Sequence, residues 1–271
     1  MTRIRQPEGE PIIEVKNLMA HYGDRLILDQ INLEVQPSEI MVIMGGSGSG
    51  KSTLLRLLLG LHQPTSGEVR LFGKDITQLS ELQMYNLRRK TGVSFQGGAL
   101  FNSMTVGENV AFPLREHTKL DENTIRIMTR MKLEVVNLAK FERLMPSQLS
   151  GGMIKRAALA RAIVMDPQLL FFDEPSAGLD PVVSAELDKL ILRLREAMHI
   201  SIVVVTHELE SAFAIADRIT VLDHGKILMT GTVEEVRGSD NPRIRNLLSR
   251  TSEEEAVDAD EYLQRLTEEV Y

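Results

Sequence analysis

The chain has 271 residues, a formal net charge of −7 and no cysteine. That length can bury a large core in one domain or in two closely joined subdomains, and the missing cysteines exclude a disulfide framework and a thiolate metal site. The acidic balance gives no electrostatic drive toward nucleic acid or anionic lipid, so no nucleic-acid partner is expected.

Residues 1–10 carry no apolar signal region, and no uncharged apolar stretch reaches the roughly 20 residues that a membrane-crossing helix needs. Any membrane path coupled to this chain is therefore expected on another polypeptide. Residues 12–22 and 26–36 alternate apolar and polar side chains about the turn Gly23-Asp24-Arg25, the pattern of an antiparallel layer. The apolar run 40–44 leads into Gly45-Gly46-Ser47-Gly48-Ser49-Gly50-Lys51-Ser52-Thr53 and then into the leucine-rich run 54–59. This order, strand then glycine loop then helix, builds a phosphate cradle. Glycines let successive backbone N–H groups turn inward, and the helix presents its positive end to the same anion. Lys51 would reach the β- and γ-phosphates of a nucleoside triphosphate, and the Ser52 hydroxyl would ligate Mg2+.

Strands are expected near residues 67–73 and 91–96, and a mainly helical stretch over about 98–166. Within it Leu149-Ser150-Gly151-Gly152 precedes the helix-forming run 153–162, with Ser150 in N-cap position; this is a second helix start with small residues in front of it. The run Leu169-Leu170-Phe171-Phe172 reads as a strand covered on both faces, ending in Asp173-Glu174-Pro175. Adjacent carboxylates repel unless a cation is near. Because successive strand side chains point to opposite sides, Asp173 can face a Mg2+ shell while Glu174 faces an attacking water. Strands at 201–206 and 218–223 complete a parallel core, giving an α/β chain without internal repeats.

Leu-Ser-Gly-Gly about twenty residues before an aspartate-glutamate strand end, combined with the phosphate loop, resembles the signature motif of ATP-binding cassette ATPases. The resemblance covers 12–237, the expected nucleotide-binding domain, with the helical subdomain at 98–166. It implies ATP with Mg2+ as cofactors and two ATP molecules sandwiched between two copies of the chain, Ser150, Gly151 and Gly152 of one copy closing on the γ-phosphate held by the other. It further implies that Tyr22 stacks on adenine, that Gln96 touches Mg2+ or the attacking water and senses a transport partner, that the loop of Asp180 crosses between copies, and that His207 contacts the γ-phosphate. The signature usually continues with glutamine, where Met153 stands here.

Gly97 through Leu120, with Gly-Ala-Leu-Phe at 98–101 and Pro-Leu-Arg-Glu-His-Thr at 113–118, together with Leu-Ser-Gly-Gly-Met, is similar to the ATPase subunits of bacterial lipid transporters that work with MCE-domain proteins. That subgroup implies phospholipid movement between inner and outer membranes, an integral-membrane permease, an MCE-domain lipid-binding protein, a small soluble accessory subunit and a peripheral place on the cytoplasmic face of the inner membrane. An ATPase for amino-acid or other small-solute uptake is the alternative, with a soluble cassette protein acting on DNA or ribosomes behind it; such proteins usually carry two cassettes or a long coiled-coil insertion, and neither is present. Exposed apolar residues after Gln96, such as Phe101 and Met104, are expected to receive the permease. In the extension 238–271, Ser252-Glu253-Glu254-Glu255 looks like a helix start, followed by an apolar stripe at Ala259, Leu263, Leu266 and Val270. A helix there is expected to dock on the second copy or on the accessory subunit.

Overall fold

The computed structural model describes residues 9–249; the tail helix expected from residue 252 lies outside them. Strands β1 (Ile13–Tyr22), β2 (Arg25–Val35), β4 (Ser66–Leu71) and β5 (Lys74–Asp75) form an antiparallel sheet in the order β2-β1-β4-β5. The strand expected at 67–73 therefore belongs to this layer and not to the parallel core. In β1 the buried set runs Ile13, Val15, then Leu18 and Ala20. The step of three at Asn17, whose φ is 46°, is a bulge that shifts the pairing register and keeps the apolar side chains on one face.

The second sheet has the order β10-β9-β3-β8-β7-β6: β3 (Ile40–Met44), β6 (Thr91–Ser94), β7 (Leu169–Asp173), β8 (Ser201–Thr206) and β9 (Arg218–Asp223) are parallel, and β10 (Lys226–Gly231) closes the edge as an antiparallel hairpin that the sequence reading did not include. Every residue of β3 and β8 is buried, as a sheet covered on both faces requires. Ile40, Val42, Met44, Phe172 and Val204 pack into a core shared with the helices α3 (Val106–His117), α4 (Glu122–Val135), α5 (Gly151–Ala162) and α6 (Pro181–Met198). The alternate residues Met41, Ile43, Phe171, Val203 and Val205 pack with the antiparallel layer and α1 (Lys51–Leu58). Helices α2 (Glu81–Arg88), α7 (Leu209–Ile215), α8 (Val233–Arg237) and α9 (Pro242–Ser249) are the remaining α-helices of the described residues, and Ile244 of α9 is buried in the helical core. No described helix is long and apolar enough to cross a membrane.

The register levels the carboxyl ends of three strands. Met44 pairs with Thr206, and Asp173 with Val205. The loops after β3, β7 and β8 consequently open onto one crevice, where ligands of open parallel sheets bind.

Candidate functional site

The glycine loop begins where β3 ends, and its glycines are needed for two different reasons. Gly45 lies against β9: a Cβ there would sit 2.0 Å from the Leu222 carbonyl oxygen. Gly50, the N-cap of α1, has φ +106°, a left-handed conformation open to glycine. Lys51 starts α1 and donates from Nζ to the carbonyl oxygens of Gly45 and Gly46, each at 2.8 Å. Burial pulls its pKa down, and the carboxylates of Glu174 and Asp173 oppose that shift. Beneath the loop the Ser49 hydroxyl is buried without a hydrogen-bond partner.

At the end of β7, Glu174 is buried with φ +48°, an arrangement that costs a non-glycine residue about 1 kcal/mol or more. Its carboxylate is fixed by three donors: Oε2 accepts from Thr206 Oγ1 at 3.0 Å and from the His207 backbone N–H at 3.4 Å, and Oε1 accepts from His207 Nδ1 at 2.8 Å. A carboxylate can only accept, so the bond to Oε1 places a proton on Nδ1 of His207. Asp173 beside it has its pKa raised, first by burial and then by the charge of Glu174, against the pull of Arg56, Lys155 and Lys51. The crevice thus gathers Lys51, Asp173, Glu174 and His207. Its hard oxygen donors suit Mg2+. Among the described residues no three His, Cys, Asp or Glu side chains converge on one point, so a cation there would take part of its shell from other oxygens, such as water, hydroxyl, amide or phosphate groups.

Gln96 lies two residues beyond β6, and its backbone carbonyl meets the cluster through Lys155, whose ammonium donates to Gln96 O and, at 3.1 Å, to Glu174 O. Lys155 is 8% exposed, and burial lowers its pKa. The sequence reading did not select it. Nor did it select Asn109, which is fully buried and holds the segment after Gln96 by bonds to Phe101 N and O, Met104 O and Thr105 O. Both lie inside helices whose neighbours mask them as ordinary helix-forming residues, and only the packed loop reveals the bonds.

Ser150, Gly151, Gly152 and Asp180 form a separate patch. Ser150 caps α5, its Oγ accepting from Met153 N at 3.3 Å, and a Cβ at Gly152 would approach Val183 Cγ1 of α6 to 2.7 Å. Asp180 caps α6 by accepting from Val182 N and Val183 N, both at 3.1 Å. Tyr22, half exposed at the end of β1, stands edge-on to His62 with ring centroids 6.0 Å apart. A groove of about 490 Å3 is lined by Tyr85, Arg88, Phe101, Phe112, His117 and Arg161, among others. Phe101 is exposed in it and packs on Phe112 at 4.9 Å; Met104, expected to be exposed, is half-buried and does not line the groove.

A family model described as ABC transporter matches residues 28–177. The intermembrane phospholipid transport system ATP-binding protein MlaF of Haemophilus influenzae is 46% identical over 90% of this chain and 93% of its own length. Its Escherichia coli K12 counterpart is 42% identical over 88% of each chain. The probable ribonucleotide transport ATP-binding protein mkl of Mycobacterium leprae is 42% identical over 90% of this chain and 70% of its own. Among solved structures, a dimer of the ATP-binding cassette MJ0796 in a post-hydrolysis state with ADP and Pi superposes with a TM-score of 0.75 and 31% identity, over 82% of this chain and 98% of that one. The cbiO1 protein of Clostridium perfringens, part of an ABC transporter complex, gives 0.79 and 30% over 89% and 100%. The glycine loop at 45–50, the carboxylate pair Asp173-Glu174 and the serine-capped α5 thus stand in a fold with these matches, and the chain belongs to the ABC transporter family as an ATP-binding, ATP-hydrolysing member.

Proposed function

We propose that the chain is the motor subunit of a bacterial phospholipid transporter, working as a pair of copies on the cytoplasmic face of the inner membrane. The observation that carries the substrate class is the 46% identity spread over 93% of the Haemophilus influenzae phospholipid-transport protein. For the ribonucleotide-transport relative, 42% identity extends over 70% of its length, which favours it less.

In this reading Tyr22 stacks on adenine, and the loop from Gly45 through Thr53, with Ser47, Gly48 and Ser49 at its turn, wraps the phosphates. Lys51 exchanges its two loop carbonyls for the β- and γ-phosphates. Ser52, Gln96 and Asp173 would hold Mg2+, which when bound neutralises charge on the phosphates. Glu174, pinned by Thr206 and His207, polarises the attacking water. His207 and, from the second copy, Ser150, Gly151 and Gly152 address the γ-phosphate, while the loop of Asp180 crosses between copies; the dimeric form of the MJ0796 relative supports this pairing. The groove at Phe101 receives a short apolar helix of an integral-membrane permease, joined by an MCE-domain lipid-binding protein and a small soluble accessory subunit.

The test is ATP-dependent phospholipid transfer between vesicles by the purified membrane assembly. Lys51→Ala should stop transfer by weakening nucleotide binding, and Phe101→Glu should detach the permease while ATP binding persists. Transfer of ribonucleotides but not phospholipid would overturn the substrate class.

A further inference from the structure

Lys155 has a position that packing alone does not explain. A lysine 8% exposed is costly to desolvate unless its ammonium is well bonded, and a methionine or leucine would fill the same space. Its bonds go to two carbonyls on two different elements, Gln96 O after β6 and Glu174 O after β7. Six residues farther along the same helix Arg161 donates to Ala99 O at 2.7 Å and to Gly98 O at 2.8 Å. Helix α5 therefore grips the segment 96–99 at two points. Of the two cations, Lys155 is the one that also reaches the Glu174 turn. There its target is a residue at positive φ, whose carbonyl otherwise receives a longer bond from Ala177 N at 3.3 Å. The N-cap of this helix is Ser150.

We propose that Lys155 is a positioning residue for hydrolysis: its ammonium ties the start of the signature helix to the Gln96 segment and to the Glu174 turn, so that engagement of Ser150 with nucleotide on the facing copy is passed to this chain's own water-polarising carboxylate. The inference rests on the reading of the two-copy ATP site above and adds a physical link between its two halves. Lys155 touches neither substrate nor water in this scheme. It sets where Gln96 and Glu174 stand.

The full-length protein with Lys155→Met tests this. Misplacing the carboxylate should lower kcat about tenfold or more while leaving the Kd for a fluorescent ATP analogue within about threefold. Amide hydrogen exchange of residues 94–99 and 174–177, measured without nucleotide, should quicken. Lys155→Arg, which keeps charge and donors, should recover most of the kcat. Wild-type kcat in Lys155→Met would overturn the proposal. So would equal losses in the Met and Arg variants that track a fall in Tm, which would make Lys155 a packing residue. Glu174→Gln run alongside separates the two layers: if it is inactive while Lys155→Met turns over normally, this link alone falls, and if it turns over normally the reading of the site falls with it.

Discussion

Replacing Glu174 with glutamine isolates the charge of the carboxylate from its contacts, because the geometry lets nearly all of those contacts survive. The amide oxygen in the place of Oε2 keeps the bonds from Thr206 Oγ1 and His207 N, at 3.0 and 3.4 Å in the parent. The amide nitrogen in the place of Oε1 faces His207 Nδ1, 2.8 Å away, which can take its other tautomer and accept. Three contacts before and three after predict a stability change under about 1 kcal/mol. Charge removal also relieves Asp173, whose pKa the Glu174 carboxylate helps to raise. Turnover should behave differently. Loss of a positioned general base typically costs about 10²–10⁴ in rate, or about 2.7–5.4 kcal/mol in barrier. Phosphate release at saturating ATP should therefore fall by that factor, while ATP affinity holds or tightens as a negative charge leaves the γ-phosphate site. Glu174→Ala is the informative contrast: it strips the acceptor from a fully buried Thr206 hydroxyl and should cost about 1–3 kcal/mol of stability. Turnover of Glu174→Gln within about threefold of wild type, with ATP still bound, would refute the assignment of Glu174. A collapse of Tm in the same variant would refute the contact accounting.

Two further substitutions probe the glycine loop and Asp173, proposed above to face Mg2+. Gly45→Ala forces a Cβ to within 2.0 Å of the Leu222 carbonyl, a backbone clash that should cost about 3 kcal/mol or more and lower Tm on the order of 6–12 °C; an unchanged Tm by calorimetry would show that β9 gives way freely. Asp173→Asn should abolish hydrolysis yet raise Tm at neutral pH. The folded-state pKa of Asp173 lies above 3.8, so its ionisation opposes folding once pH exceeds the folded value and costs nothing below 3.8. The stabilisation of the variant should accordingly shrink as pH is lowered toward 3.8, and a Tm gain that stays constant over that range would contradict the sign.

The parallel core was readable because its strands carry unbroken apolar runs, as at Met41 to Met44 and Leu169 to Phe172, and unbroken burial is what a sheet covered on both faces selects. The order of strand, glycine loop and helix over 40–58 was readable because glycine spacing encodes backbone geometry directly. Elsewhere the information is tertiary. The bulge at Asn17 breaks the period-two pattern of β1, and β10, with its half-buried Ile227, Leu228 and Met229, lacks the continuous burial that marks its neighbours. The bond of Gln96 to the cluster runs through a carbonyl, which no side-chain pattern can announce. Lys155 sits in Met-Ile-Lys-Arg-Ala, where a cation reads as the solvated edge of a helix. It is buried because the segment 96–99 folds across it.

The two lysines of the crevice differ in what holds them, and that difference bears on how the site can work. Both are shifted toward neutrality by burial and drawn back by Glu174 and Asp173. Lys51 bonds to the carbonyls of Gly45 and Gly46, in the loop proposed to receive phosphate, so an incoming anion would replace weaker acceptors with stronger ones and leave β3 in place. Lys155 bonds to carbonyls at the ends of β6 and β7, held in turn by the sheet and by the turn at Glu174. Exchange of its partners would release both segments at once. In the proposed reading a nucleotide phosphate can therefore recruit Lys51 at little structural cost, whereas recruiting Lys155 would loosen the Gln96 segment and the Glu174 turn together.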